Sequence, residues 1–445
     1  MNGRVCKPWV RGFSVIELMI SISLGILVML GIGQIFVASR TSYASQQGLS
    51  GIQQNSRVGI KMMSDAVRNA GDMGFSNLSG LIGSAQTIAT NSSSIPATAA
   101  RNVFQFSDFA TAGPQIAQLI RMDSGLTVYE YNGTAPGDTY NLTDPLVAGG
   151  SGDWTPALPA PIAGRALRFS DVIVTRYMDP VTFMTKPEGA NQVSGGLVAG
   201  DANCTNAGVF YGSNENNSSD LLSKINVLPK YMYAISDLRN VNFFQAVNVG
   251  PPGGALSLRS NAPAFPGNVV GECGSLSTST SDGGRIGMVH IEAYFVGLNP
   301  ATREPGLWRG VFDGTGTTGF SFEELVEGVE NMQITAGLTM PPADPRQGVS
   351  TAATDLIVTG NQLNTPSGIG LTDTVAQTRR RIMSVRISAL IRSEANAAGQ
   401  TVTDTYNVGR ATANPVDDRR IRQVYENNIG IRNRQRMASG IANFY

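Results

Sequence analysis

Glu17 is the residue of this 445-residue sequence whose surroundings most need a chemical explanation. It is the single charged side chain in the apolar run from Phe13 to Ala38. A carboxylate at membrane depth costs roughly 2.5–3.5 kcal/mol even on the more permissive insertion scales. A plain membrane anchor would therefore fit the length of the run but would leave Glu17 unexplained.

Few other residues have the types and spacing that catalysis needs. The chain has one histidine, His290, which argues against His-dependent zinc sites and against Ser-His-Asp or Cys-His catalysis. We expect His290 to be a structural side chain on a strand. The stretch DGTGTTG at 313–319 lacks the Gly-Lys-Ser/Thr ending of a phosphate loop and predicts a hairpin turn. We therefore expect no enzyme, no metal site and no cofactor.

Arginines gather towards the end of a chain whose 33 Lys and Arg otherwise balance its 33 Asp and Glu. Such a patch could contact nucleic-acid phosphates, but we favour an exposed face with local ion pairs or a contact with another protein. The adjacent acids Asp417 and Asp418 predict a solvated mixed-charge turn rather than a catalytic pair. The arginines are Arg410, Arg419, Arg420, Arg422, Arg432, Arg434 and Arg436.

The apolar run forms the start of a long predicted helix. Its roughly 26 residues can cross a bilayer at 1.5 Å per residue, and the preceding cations predict a cytoplasmic N-terminus. A cleaved secretory signal would be shorter and would end at a small-residue site. The apolar spacing continues at intervals of three and four, which predicts one helix from about 13 to 70 whose second half lies on a globular domain. The residues of this predicted face are Leu49, Ile52, Ser56, Ile60, Met63, Val67 and Ala70.

The remainder of the chain predicts strands joined by long loops, especially across 179–288. In 381–393, Val385, Ile387 and Ala389 alternate with polar side chains, which is typical of a strand with one buried face. We expect 322–338 to begin as a short helical turn and to end as a strand. Together these segments predict an α+β fold in which the amphipathic half of the helix covers an antiparallel sheet. The other predicted strands are 102–106, 126–131, 166–178, 288–297 and 306–312.

The stretch RGFSVIEL at 11–18 resembles the class III signal of type IV prepilins. The resemblance implies that prepilin peptidase cuts after Gly12 and that the new N-terminus, Phe13, is N-methylated. It also implies a role for Glu17. In a filament core each N-terminal ammonium needs a counter-charge, and a buried ion pair can fix the register of neighbouring subunits.

Four further stretches are similar to PilW-type minor pilins: SDVIVTRY, ELVEGVENMQITAGL, SVRISALIRS and DRRIRQVYENNIGIRNR. This resemblance implies the pilin fold, a helical spine with an antiparallel sheet head. It also implies that the protein initiates or primes type IV pilus assembly with other minor pilins and the major pilin. The implied segments are a leader (1–12), a transmembrane and filament-core half-helix (13–38), an amphipathic half-helix (39–75) and a periplasmic head (76–445).

Removal of the leader would also remove Cys6 and would leave Cys204 and Cys273 on the exported side of the inner membrane. An even count predicts a disulfide that closes a loop of about 70 residues, worth roughly 4 kcal/mol in the chain-entropy model. Two unpaired buried thiols are the alternative.

Two other functions remain open from the sequence. One is a minor pseudopilin of type II secretion, which would have the same architecture. The other is a pilus-borne adhesin or DNA receptor that acts through the 179–288 loops or the arginine-rich tail.

Overall fold

The computed structural model describes part of the 445-residue chain, and every structural statement concerns that part. Gly12, Phe13, Cys204 and Cys273 lie outside the described residues, as does most of the predicted strand at 102–106. The described residues are 14–73, 76–77, 101–102, 119, 124–143, 146–179, 183–184, 208–210, 231–236, 241–245, 248–249, 255–257, 285–314, 318–340, 344 and 354–432.

One long helix dominates the helical part of the fold. Helix α1 (Val15–Asn69) runs unbroken for 55 residues, which confirms the predicted helix. No proline occurs between Pro8 and Pro96, so nothing removes a backbone donor from its ladder. The chain leaves the helix through Gly71, whose φ of 84° favours glycine, and the Gly71 N–H donates to the Arg176 carbonyl at 2.8 Å. Two short helices lie wholly within the described residues, α2 (Gly360–Asn364) and α3 (Val375–Arg380), and 3₁₀ turns occur at Ser151–Asp153 and Pro366–Ile369.

Strands make up most of the remaining described chain. In the first half they are β1 (Asp72–Met73), β2 (Ser76–Asn77), β3 (Arg101–Asn102), β4 (Leu126–Tyr131), β5 (Thr139–Asn141), β6 (Trp154–Thr155), β7 (Val172–Met178), β8 (Phe183–Met184), β9 (Gly208–Phe210), β10 (Met232–Ser236) and β11 (Val241–Gln245). In the second half they are β12 (Asn248–Val249), β13 (Ala255–Ser257), β14 (Arg285–Leu298), β15 (Pro305–Phe312), β16 (Phe320–Glu327), β17 (Val329–Leu338), β18 (Leu356–Thr359), β19 (Ile382–Arg392), β20 (Tyr406–Val408), β21 (Ala411–Asn414) and β22 (Arg422–Gly430).

Two sheets form the body of the described structure, and their strands pair mostly antiparallel. The larger has ten strands in the order β3-β11-β10-β14-β7-β4-β6, with β8 and β15 also paired to β14 and β16 paired to β15. The second has the order β18-β17-β19-β22. Three smaller sheets are β1-β2, β12-β13-β9 and β20-β21-β5. The architecture is therefore α+β.

The strands predicted at 126–131, 166–178, 288–297, 306–312 and 381–393 are confirmed by β4, β7, β14, β15 and β19. The helical turn expected at the start of 322–338 is wrong, because β16 is a strand paired with β15 along its length. Local sequence there is rich in glutamate, but pairs such as Leu307↔Val326 and Phe312↔Phe320 bury apolar area only in the strand. Gly328, with φ of 87°, then separates β16 from β17.

The main core lies where the second half of α1 packs against both large sheets. Ile52, Met63 and Val67 are almost completely buried there, and Leu49 and Ile60 of the predicted face are half-buried. The predicted apolar face of β19 joins the same core through Val385, Ile387, Ala389 and Ile391. The opposite face of β19 is also covered, since Leu390 packs in a second cluster with Tyr140, Leu142, Val408, Ala411 and Ala413.

Candidate functional site

The first half of α1 presents a continuous apolar surface. Its large apolar side chains from Val15 to Val37 are exposed by 54% to 78%. Added Cβ atoms at Gly25, Gly31 and Gly33 would meet nothing within 4 Å. The helix is long and apolar enough to cross a membrane by length and composition, so this half is compatible with membrane anchoring.

Glu17 lies in the first turn of this exposed half-helix. The Ser14 backbone N–H donates to Glu17 Oε2 at 3.4 Å, so the carboxylate caps the start of the helix. A negative charge at this end also interacts favourably with the helix dipole. Among the described lysines and arginines, none forms an ion pair with Glu17. The carboxylate is therefore accessible to a cation from outside the described chain.

The head holds α1 immediately after the exposed half. The segment 393–400, which follows β19, lies against α1, and the Ser45 hydroxyl donates to the Ala397 carbonyl at 2.6 Å. An added Cβ on Gly48 would lie 2.8 Å from the Ala397 Cβ, so glycine permits this close approach. Farther along, the Asn55 amide donates to the Glu327 carbonyl at 3.2 Å.

A buried carboxylate, Glu330, ties three strands of the second sheet together near this contact. Arg422 Nε donates to Glu330 Oε2 at 2.7 Å, and Arg392 Nη1 donates to Glu330 Oε1 at 2.7 Å. The side chains of Arg422 and Glu330 are only 2% and 3% exposed. Two arginines on β19 and β22 thus compensate a buried charge on β17, which would be costly without them.

Two further carboxylates complete this arrangement. Glu304 accepts hydrogen bonds from Arg392 Nη2 at 2.5 Å and from Arg420 Nη2 at 2.8 Å. Asp418 accepts from Arg422 Nη1 at 2.7 Å and from the Arg420 N–H at 2.8 Å. Partial burial opposes ionisation of both acids, but the arginine hydrogen bonds outweigh it and lower the pKa of Glu304 and of Asp418. We call Glu304, Glu330, Asp418, Arg392, Arg420 and Arg422 the arginine–carboxylate cluster.

Two arginines of the arginine-rich tail belong to this cluster. Arg420 and Arg422 pair with carboxylates inside it, and the solvated turn predicted around Asp417 and Asp418 is wrong for Asp418, which is half-buried. Sequence reasoning missed this because Glu304 and Glu330 are about 90 to 120 residues away from these arginines along the chain. The available signal was Glu330, an acid inside the apolar strand VENMQITAGL. Of the other tail arginines, Arg410, Arg419 and Arg432 are exposed, and Arg434 and Arg436 lie outside the described residues.

Asp171 links the two large sheets. Its Oδ1 accepts the Tyr131 N–H at 3.0 Å, and its Oδ2 accepts the Ile334 N–H at 2.8 Å. Complete burial, with the nearby charge of Glu130, raises the pKa of Asp171. The signal in the sequence is an acid directly before the apolar strand β7. Asp171 therefore has a structural role, because it holds β4 and β17 together.

His290 lies on β14, as predicted. Its ring stacks on Tyr177 with centroids 5.0 Å apart, and its Nε2 is 3.7 Å from Asp179 Oδ2. Next to it, the buried Glu292 accepts from the Tyr294 hydroxyl at 2.7 Å and pairs with Arg309 at 3.5 Å. Within the part of the chain that the structure describes, no group of three or more His, Cys, Asp or Glu could hold a metal ion.

Comparison with known proteins gives one match. Residues 293–433 match the family model for Type IV Pilus-assembly protein W. No curated protein and no solved structure matches the chain. The matched segment contains all six residues of the arginine–carboxylate cluster and the segment that holds α1. The match supports a type IV pilus-related protein.

Proposed function

We propose that this protein is a minor pilin that takes part in the initiation or priming of type IV pilus assembly. The observation that carries the proposal is an exposed apolar half-helix with one carboxylate, joined to a head whose 293–433 segment matches a pilus-assembly family. Membrane insertion alone would not need Glu17, whereas packing of such helices into a filament would. The expected pilin fold is part of this proposal.

Processing provides the cation for Glu17. Prepilin peptidase cuts between Gly12 and Phe13, and the new amino group, which is N-methylated, lies one residue before Ser14. The Glu17 carboxylate accepts from the Ser14 N–H and therefore lies at the start of the helix. The Phe13 ammonium of the same chain or of a neighbour can approach it there. Mass spectrometry of the N-terminal peptide tests this step, and a mature chain that begins elsewhere would contradict it.

The protein's location follows from the same processing. Before assembly, residues 13–38 anchor the protein in the inner membrane and residues 39–445 lie on the periplasmic side. The protein then enters a pilus at the cell surface with other minor pilins and the major pilin. In the oxidising periplasm, Cys204 and Cys273 form a disulfide. Non-reducing mass spectrometry should find the linked peptides, and free thiols at both positions would refute the pairing.

The family match favours pilus assembly over type II secretion. A DNA receptor that uses the tail is disfavoured, because Arg420 and Arg422 are occupied by carboxylates.

Substitution of Glu17 by alanine tests the proposed assembly role directly. E17A should be cleaved and inserted normally but should reduce surface pili at least tenfold, measured by shearing and quantification of the major pilin. Ser21→Ala is a matched control in the same half-helix, because the Ser21 hydroxyl only donates to the Glu17 backbone carbonyl. Wild-type piliation in E17A would remove the proposed function of the carboxylate. Deletion of the whole protein should abolish surface pili while the major pilin stays stable in the membrane.

A further inference from the structure

The second large sheet ends in an open edge at β22. Within the described chain, β22 pairs only with β19. The Ser393 N–H donates to the Ile421 carbonyl at 2.8 Å, and the Ile431 N–H donates to the Met383 carbonyl at 2.9 Å. These bonds fix the alternation of the antiparallel ladder, so the backbone groups of Val424, Glu426 and Asn428 point away from β19. An edge of this kind can accept another strand.

A groove of about 660 Å³ runs between this edge and the second half of α1. Tyr425, Glu426 and Asn427 all line it, although successive side chains of a strand point to opposite faces. The groove therefore follows the edge of β22. The Asn427 amide donates to the Ser64 hydroxyl at 2.9 Å, so this hydrogen bond joins the strand wall of the groove to its helical wall.

The helical wall of the groove is basic. Arg57, Lys61 and Arg68 are four and seven residues apart and thus lie on one stripe of α1. All three are exposed, and none forms an ion pair with another described residue. Asp65 is the one acid of this wall, and Glu426 on the strand side accepts from the Ser388 hydroxyl at 3.0 Å. The wall of α1 keeps an excess of positive charge.

We propose that this groove binds an extended, acidic segment of another pilus subunit, which adds to β22 as a further strand. The partner backbone pairs with the open edge, and acidic side chains at alternate positions all point to the arginine–lysine stripe. The proposal rests on the proposed function, because it takes the partner to be a pilus subunit.

Two other occupants fit the groove less well. Alternating N–H and C=O groups along β22 match a peptide backbone, whereas nucleic-acid phosphates could use only the N–H donors. Residues 433–445, which follow β22 in the chain, contain Arg434 and Arg436 but no acid, so they do not complement the basic stripe.

Photo-crosslinking of the full chain in pilus-assembling cells tests the proposal. In one variant a benzophenone amino acid replaces Tyr425, an aromatic side chain that lines the groove. In a control variant the same amino acid replaces the exposed Val416. Irradiation should give a nuclease-resistant adduct from position 425 and not from position 416. Mass spectrometry should map the adduct to an acidic segment of a protein with its own prepilin-type helix.

Charge reversal tests whether the arginine–lysine stripe recognises the partner or the partner is merely close to position 425. The pair Arg57→Glu and Lys61→Glu should reduce the yield of the adduct at least tenfold. The matched pair Arg303→Glu and Arg410→Glu, which reverses two exposed charges outside the groove, should leave it within twofold. Equal loss in both pairs would contradict recognition by the stripe.

Several results would overturn the proposal: an adduct within the same chain, a nuclease-sensitive adduct, an adduct to a protein without a prepilin-type helix, or no adduct from position 425. Piliation of the deletion strain is scored in parallel. If pili require the protein but position 425 gives no intermolecular adduct, the groove proposal fails while the proposed function stands. Normal piliation without the protein would remove the proposed function instead.

Discussion

The two halves of α1 have opposite environments although they belong to one unbroken helix. From Val15 to Val37 every large apolar side chain is more than half exposed, whereas Ile52, Met63 and Val67 are at most 2% exposed. Glycines differ in the same way. Gly31 has open space around it, but an added Cβ on Gly59 would lie 3.1 Å from Leu307 Cδ2. The apolar side chains of α1 are therefore exposed along its first half and packed into the protein's own core along its second half.

A charge placed in each half should give the strongest contrast. Val67→Asp would bury a carboxylate in the main core and should destabilise the head by about 5 kcal/mol or prevent its folding. Leu27→Asp should change the unfolding free energy of the head by less than about 0.5 kcal/mol, because Leu27 is 65% exposed. Thermal unfolding of the full chain in detergent micelles measures both. Equal destabilisation would mean that the first half also packs on the head.

Loss of one member of the arginine–carboxylate cluster should have the next largest effect. Arg422→Met leaves Glu330 buried with one arginine fewer and should cost about 3–5 kcal/mol. Arg419→Met is the control, since Arg419 is exposed and its guanidinium donates to the Ala398 and Gly399 backbone carbonyls rather than to a carboxylate. Chemical denaturation followed by circular dichroism would show the difference. A loss below about 1 kcal/mol for R422M would argue that the cluster adds little to the head.

The glycines allow a finer comparison at the junction between the halves. Gly48→Val should push the 393–400 segment away from α1 and cost about 1–3 kcal/mol. Gly31→Val meets open space and should leave the head unchanged. Hydrogen exchange at residues 41–52 should accelerate in G48V and not in G31V. Unchanged exchange in both variants would show that the segment tolerates the side chain.

Acid should weaken the head through the cluster, by a smaller amount. The pKa values of Glu304 and Asp418 are lower in the folded state, so their stabilisation is present above the pKa values of the unfolded chain and is lost as pH falls through the folded ones. The difference in unfolding free energy between wild type and Asp418→Asn should be about 1 kcal/mol at pH 7. It should shrink as pH falls below about 4. A difference that stays constant down to pH 2.5 would contradict this linkage.

Much of the fold could be predicted because its signals are local. The spacing of Ile52, Met63 and Val67 identified the buried face of α1, and the alternation in 381–393 identified the buried face of β19. Strand β16 shows where local signals fail to predict the structure. Its glutamates favour a helical turn, and only the pairing with β15, which lies earlier in the chain, makes it a strand.

The local sequence specified one long helix, with an apolar half that carries a lone carboxylate and an amphipathic half that lies on a sheet. It could do so because helix periodicity and side-chain polarity are evident within a few turns. Only the folded arrangement of the strands produced the arginine–carboxylate cluster, the link through Asp171 between the two large sheets and the groove beside β22, whose helical wall is basic. Each of these depends on groups separated by many residues in the chain. Their charges and backbone groups find partners, or remain open to one, only when the strands have taken their places.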